Sequence, residues 1–251
     1  MKDALHIKYP WPPEAAPAAE KAIRVALGGG AGSAGGAGMT GMVMAYPTET
    51  AYALGGNALL PEVAAAVYRL KGRPPSKALL LLVDGRAGAG PWVEETPPEA
   101  EALMARFWPG PLTLVFRASP RLPPHLPDAR GTVALRWSPH PLIAEMHRIG
   151  GGLHRLAGKQ HHPGGVPLIG TSANRSGGPD PHTAQEVMEA HPSGIGLLID
   201  GGRVGSGAGT QRSTTAPSTL VDTTVRPFKV LRPGAIALED LRAVVPDIEG
   251  L

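Results

Sequence analysis

Two cations one residue apart, Lys71 and Arg73 in Lys71-Gly72-Arg73-Pro74, are side chains suited to neutralising a polyphosphate. A second segment, Ser172-Ala173-Asn174, offers hydroxyl and amide donors two positions apart, and a third, Tyr46-Pro47-Thr48-Glu49-Thr50, offers two hydroxyls and a carboxylate. Taken together the three describe one site for a phosphate-bearing substrate. Taken singly each is ordinary: a Lys-x-Arg pair at a helix end is favoured by the macrodipole, and Ser-x-Asn after a strand is a common turn.

Each segment needs an element to aim it. The apolar run Met42-Val43-Met44-Ala45 reads as a buried strand, and Pro47 would end its ladder and leave Thr48, Glu49 and Thr50 at the tip. A helix over 61–71, with Val63, Val67 and Leu70 on one face, runs out at Gly72 before Pro74-Pro75 and would project both cations beyond its last turn. Val166-Pro167-Leu168-Ile169 opens a strand near 166–171, and its period of two sends Ser172 and Asn174 to one side.

Elsewhere the pattern predicts helices near 17–27, 97–107, 140–148 and 183–190, with a helix-like stretch at 238–244. Strands are predicted near 42–46, 78–83, 112–117, 132–137, 195–199, 218–222 and 228–231. This order gives an α/β fold, a mixed sheet with flanking helices, in a single domain over 1–251. Residues 1–13 read as a Pro-rich N-terminal extension, and 28–41, 150–165 and 203–217 as long Gly-rich loops, the latter two better explained as surface insertions than as lids. Within 28–41 the strings Gly30-x-Gly32-x-x-Gly35 and Gly36-x-Gly38-x-x-Gly41 match a dinucleotide fingerprint as text, yet a helix precedes them and a strand follows, the reverse of what that motif needs. The chain also lacks a Gly-x-x-x-x-Gly-Lys-Ser/Thr phosphate loop.

With no cysteine among 251 residues, thiolate nucleophiles, disulfides and Cys-ligated metals are excluded. A net charge of +3 suits an anionic ligand but falls short of a nucleic-acid wrap, and 4% aromatics argue against a base-stacking surface. No apolar stretch approaches a membrane span or a signal peptide, so a cytoplasmic protein is expected. His140, His147 and His154 recur every seven residues, but they would share a helix face only if the helix crossed Gly150-Gly151-Gly152, which propensity opposes; no metal ligand is assigned to protein side chains.

Five further blocks join the first three in order: Phe107-Trp108-Pro109-Gly110-Pro111-Leu112-Thr113, Thr132-Val133-Ala134-Leu135-Arg136, Ile199-Asp200-Gly201-Gly202, Ser218-Thr219-Leu220-Val221-Asp222 and Leu231-Arg232-Pro233-Gly234. In this order the chain resembles the YrdC-like threonylcarbamoyl-adenylate synthase family, from about Pro17 to about Leu241. The resemblance implies a twisted, partly open α/β barrel with a concave basic cavity. It implies that L-threonine, bicarbonate and ATP, with Mg2+ on the ATP phosphates, give threonylcarbamoyl-AMP and pyrophosphate. The product would serve threonylcarbamoyladenosine modification of tRNA through a separate transferase complex, with room for weak tRNA binding. Carried over by position, the catalytic set would be Lys71, Arg73, Ser172 and Asn174; ATP would also meet Lys77, Thr132 and Arg232. Threonine would meet Thr50, Arg136, Gly170 and Ser218, with Arg136 on its carboxylate. Glu49 would orient a neighbour or a metal-bound water.

The pattern is not matched everywhere. Ala53 and Ala78 stand where the family often has Gly and Pro, Leu82 where some members have His, and Asp180 where a hydroxyl often contacts nucleotide. A carboxylate there would repel phosphates unless a cation intervenes. The chain resembles the single-domain form. The alternative from another class is a non-catalytic RNA-binding member of the same superfamily; a carbamoyl-phosphate-using relative would bring zinc-finger cysteines, which are absent from this sequence.

Overall fold

A computed structural model of the chain describes residues 4–28, 41–74, 78–156, 165–205 and 216–251, the side chains of 154–156 excepted. Ten strands form one twisted mixed sheet: β1 (Leu5–Lys8), β2 (Met44–Pro47), β3 (Tyr52–Asn57), β4 (Leu80–Leu82), β5 (Leu112–Arg117), β6 (Thr132–Arg136), β7 (Leu168–Ser172), β8 (Leu197–Asp200), β9 (Thr219–Asp222) and β10 (Lys229–Arg232). The spatial order is β1-β8-β2-β3-β7-β4-β6-β5-β9-β10, and β1 and β10 lie at opposite ends, so the sheet stays open. Among the described residues seven α-helices flank it: α1 (Ala16–Ala26), α2 (Pro61–Lys71), α3 (Gly85–Ala89), α4 (Pro98–Phe107), α5 (Pro141–Leu156), α6 (Ala184–Ala190) and α7 (Leu238–Arg242).

Alternation along the strands divides the interior into two cores. Val43, Ala45, Leu81, Leu135 and Ile169 face one way and pack with Val67 of α2, Leu103 of α4 and Leu241 of α7. Their strand neighbours Met44, Tyr46, Leu82 and Leu168 face the other way, under Ile23 of α1 and Met146 of α5. Strands β2, β3, β4, β7 and β8 therefore serve both cores, and what decides a residue's surroundings there is its parity.

Three expectations change. The N-terminal extension contains β1, which pairs in parallel with β8 through Leu5↔Leu197 to Lys8↔Asp200. The Gly-rich Tyr52–Asn57 stretch is β3, antiparallel to both β2 and β7 and fully buried. Helix α5 runs through Gly150-Gly151-Gly152 to Leu156 despite the low propensity of glycine. The cause is tertiary: a Cβ at Gly150 would come within 3.2 Å of Val166 Cβ and 3.6 Å of Leu27 Cδ1, so the bare backbone lets α5 seat against the strand entry and the end of α1. His147 lies inside this helix but faces the core, with Nδ1 2.9 Å from the Val166 carbonyl, and burial lowers its pKa. His140 precedes the helix. Among the described residues no cluster of three metal-ligating side chains occurs, and no helix is long and apolar enough to cross a membrane.

Candidate active site

The β2–β3 hairpin, the C-terminus of α2 and the end of β7 converge on one cleft of about 340 Å3. None of its lining residues comes from α1 or α5; the neighbouring strands β3, β7, β4, β6, β5 and β9 line it, among others through Ala53, Leu82, Ala134, Arg136, Gly170 and Leu220. Lys71, Arg73, Arg136 and Arg232 line it, with Asp180 as the one lining carboxylate among the described residues. Of the residues picked from sequence, Thr50, Lys71, Arg73, Arg136, Gly170, Ser172, Asn174, Ser218 and Arg232 all reach this cleft. Lys77 lies outside the described residues. Thr132 does not line the cleft: it opens β6 on the same parity as Ala134, but Asp128 accepts from its amide at 2.9 Å and Arg130 approaches its hydroxyl at 3.5 Å.

Helix α2 ends as the sequence requires. Gly72 adopts φ 61°, the left-handed conformation that suits glycine at a helix C-cap. The two cations then part ways. Lys71 is 5% exposed, on the last helical turn rather than beyond it, and turns inward. Its ammonium donates to Ser172 O at 2.5 Å, Asn174 O at 2.9 Å and Asn174 Oδ1 at 2.9 Å. Three acceptors saturate three N–H groups. Lys71 thus pins the turn after β7, where Ser172 Oγ also donates to Asn174 Oδ1 at 2.7 Å and Asn174 Nδ2 to Gly178 O at 2.5 Å. Burial, with Arg73 nearby, pulls its pKa down to about 8, against the opposing pull of Asp180. Arg73 donates from Nη2 to Ala78 O at 2.8 Å, while its buried Nε has no partner among the described residues.

The opposite end is built on β6. Arg136, 4% exposed, pairs through Nη2 with Glu49 Oε1, and donates from Nε to Gly110 O at 3.2 Å. Ser138 Oγ donates to Glu49 Oε2 at 2.6 Å. Thr48 Oγ1 donates to Ala51 O at 2.7 Å and lies 3.2 Å from Thr50 Oγ1, closing the hairpin tip that Pro47 begins. Between the two ends, the Thr113 and Ser218 hydroxyls stand 2.8 Å apart, and Arg232 Nη2 donates to Ser218 O at 2.8 Å and to Ser218 Oγ at 3.0 Å. Burial lowers the pKa of Arg232, with Asp180 again opposing. Asp180 therefore has the intervening cations that its place beside a phosphate site demands.

Sequence reasoning placed Thr48 at the site without a role, passed over Thr113 and Ser176 as lining residues, and left Ser138 unassigned. Strand parity would have found Thr113, since it lies two before Val115 on a strand whose alternate residues, Leu112 and Leu114, belong to the core. A mixed open sheet with a cation-lined cleft on one face is an α/β architecture suited to a small anionic ligand, in the usual size range of such pockets.

The chain belongs to the Sua5/YciO/YrdC family, whose model, described as telomere recombination, matches residues 39–234. It is 38% identical over 185 residues to the threonylcarbamoyl-AMP synthase of Thiobacillus denitrificans, covering 72% of this chain and 85% of that relative. To the threonylcarbamoyl-AMP synthase of Pyrococcus abyssi it is 34% identical over 208 residues, covering 83% of this chain and 55% of the relative. Among solved structures, Pyrococcus abyssi Sua5 complexed with L-threonine superposes with a TM-score of 0.74 at 30% identity, over 99% of this chain and 62% of that one. The chain thus spans little more than half the length of the Pyrococcus relative, and the same holds for a Bacillus subtilis synthase at 54%.

Proposed function

We propose that the protein is an L-threonylcarbamoyladenylate synthase, which condenses L-threonine, bicarbonate and ATP into threonylcarbamoyl-AMP and pyrophosphate for tRNA modification in the cytoplasm. The observation that carries this reading is the convergence of a phosphate-grade end (Lys71, Arg73, Ser172, Asn174, Arg232) and a carboxylate-grade end (Arg136, Thr50) in one cleft. The relatives named as synthases and the threonine-bound neighbour support it.

In this reading the threonine carboxylate lies against Arg136 and Thr50, with Gly170 and Ser218 completing its pocket. The amine captures carbon dioxide from bicarbonate, forming a C–N bond with net loss of water. A carbamate oxygen then attacks the α-phosphorus; the new P–O bond forms as the α–β bridge breaks and pyrophosphate departs. Such chemistry asks for alignment and charge neutralisation rather than a protein nucleophile, consistent with a chain that has no cysteine. Arg73 and Arg232 face the phosphate charge, and Lys71 holds the Ser172–Asn174 turn in place. Magnesium bound to the phosphates would add further neutralisation. The donor set fits a metal held chiefly by substrate, because Asp180 is the single carboxylate lining the cleft among the described residues.

Pyrophosphate release measured with ATP, magnesium, bicarbonate and L-threonine tests the proposal against matched reactions lacking threonine or containing serine. Threonine-dependent release is expected. Release that ignores threonine, or none from folded protein that binds ATP, refutes it. The product would pass to a separate threonylcarbamoyl-transferase complex, with any tRNA contact weak and salt-sensitive.

A further inference from the structure

Glu49 belongs to the hairpin that carries Thr48 and Thr50, yet it does not line the cleft. At 3% exposure it sits behind Arg136 with both carboxylate oxygens engaged by β6 and its continuation: Oε1 by Arg136 Nη2, Oε2 by Ser138 Oγ at 2.6 Å. The guanidinium is therefore fixed on two sides, by Gly110 O at Nε and by Glu49 at Nη2. Toward the cleft its contacts are long: Nη1 and Nη2 lie 3.5 and 3.4 Å from Thr50 Oγ1, at the outer limit of hydrogen bonding. This is a planar fork held rigid from behind with its front edge lightly occupied.

Charge gives the arrangement a second consequence. Lys71, Arg73, Arg136 and Arg232 share one small cleft, and Arg136 is close enough to Arg232 to lower its pKa. With Asp180 as the carboxylate offsetting them among the described lining residues, four cations would still draw a polyphosphate to either end. Of these four cations Glu49 pairs with Arg136, while the fork's donors on the other side reach only toward Thr50 Oγ1, on a residue that lines the cleft. A zwitterionic amino acid, which carries its own ammonium, suits a fork of zero net charge; a phosphate dianion does not. The geometry points to Glu49 as a positioning residue that fixes Arg136 and, by neutralising it, keeps phosphate anions out of the amino-acid end. This rests on the proposed reading that Arg136 meets the amino-acid carboxylate.

The test is calorimetric and needs no turnover: L-threonine and inorganic phosphate are titrated separately and in competition into wild-type protein, Glu49→Gln and Ser138→Ala. In the wild type, phosphate should leave threonine affinity nearly unchanged. In Glu49→Gln, phosphate should bind at least tenfold more tightly and compete directly with threonine; Ser138→Ala, which retains the carboxylate, should weaken threonine binding without admitting phosphate. Thermal melting separates a misfolded Glu49→Gln from a folded one, and if that variant fails to fold, Glu49→Gln in an Arg136→Met background, where both buried charges are gone, should bind inorganic phosphate directly no more tightly than wild type, while Arg136→Met alone loses threonine. Phosphate competing equally in wild type and Glu49→Gln overturns the inference, as does Arg136→Met binding threonine normally when it has to stand in. Wild-type protein that binds no threonine refutes instead the reading on which the inference rests.

Discussion

Replacing Lys71 by Met removes a buried cation while keeping most of the side-chain volume, and the structure fixes how the consequence should vary with pH. The ammonium is held at a pKa of about 8 in the folded chain, against 10.5 in the unfolded one, chiefly because burial penalises its charge. Between those two values the unfolded chain keeps a proton that the folded chain has released. Folding stability on this group's account therefore rises with pH across that window, and below pH 8 the full penalty stands. The whole shift corresponds to roughly 3 kcal/mol, of which about 2.5 is recovered between pH 7 and pH 10. Other titrations, such as Tyr46 and Tyr52, whose pKa values burial raises, are common to both proteins and cancel in the difference. Urea denaturation of wild type and Lys71→Met at several pH values should show the wild-type midpoint gaining on the variant by about 1 M over this range, for a slope of 2–3 kcal/mol per molar. A function should follow the same group. A neutral amine has two N–H groups for three acceptors, so the Ser172–Asn174 turn loosens and ATP affinity falls as pH rises through 8 in the wild type, but not in Lys71→Met, where it is weak throughout. Stability curves that stay parallel within about 0.5 kcal/mol would refute the account of Lys71 as a buried, reluctantly charged strut.

Arg73→Ala is expected to weaken ATP binding about 10- to 100-fold, the size of one or two charge-assisted hydrogen bonds, with threonine binding unchanged by calorimetry. A Cβ at Gly170 would lie 2.6 Å from Leu82 Cγ in a buried setting, so Gly170→Ala should cost about 1–3 kcal/mol in denaturant and push Leu82 into the cleft, impairing threonine more than ATP. Chelation by EDTA should abolish pyrophosphate release, and excess magnesium should restore it, while threonine binding measured without ATP should not respond to the chelator.

Most of the regular structure was legible because its signals were local. The bounds of α2 over 61–71 and of β5 over 112–117 agree with the structure to the residue, each being a periodic run closed by Gly or Pro chemistry. What escaped notice depends on partners distant in sequence. Tyr52–Asn57 contains two glycines and no β-branched residue, and becomes a strand because β2 and β7 hydrogen-bond to both its edges. Leu5–Lys8 is too short to announce itself, and α5 continues through its glycines with Gly150 seated close against Val166 and Leu27, a contact made by residues distant in the pattern. The site shows the same divide. Residue types gave the phosphate and carboxylate ends, whereas the inward turn of Lys71 and the anchoring of Arg136 by Glu49 and Ser138 are contacts across 87 or more positions of chain, beyond any local pattern.

Because residues that line the cleft stand next to residues of the first core on the same strands, Leu81 beside Leu82, Leu135 beside Arg136, Ile169 beside Gly170, the chain keeps two interleaved texts in one stretch of sequence. Point changes on one parity can rewrite ligand preference while the other parity continues to hold the sheet together. A single inserted or deleted residue within β4, β6 or β7 would instead exchange the two, sending guanidinium into oil and leucine into the cleft. Change in a protein of this design is therefore expected to proceed inside the strands by substitution alone, with variation in length left to the connections between them.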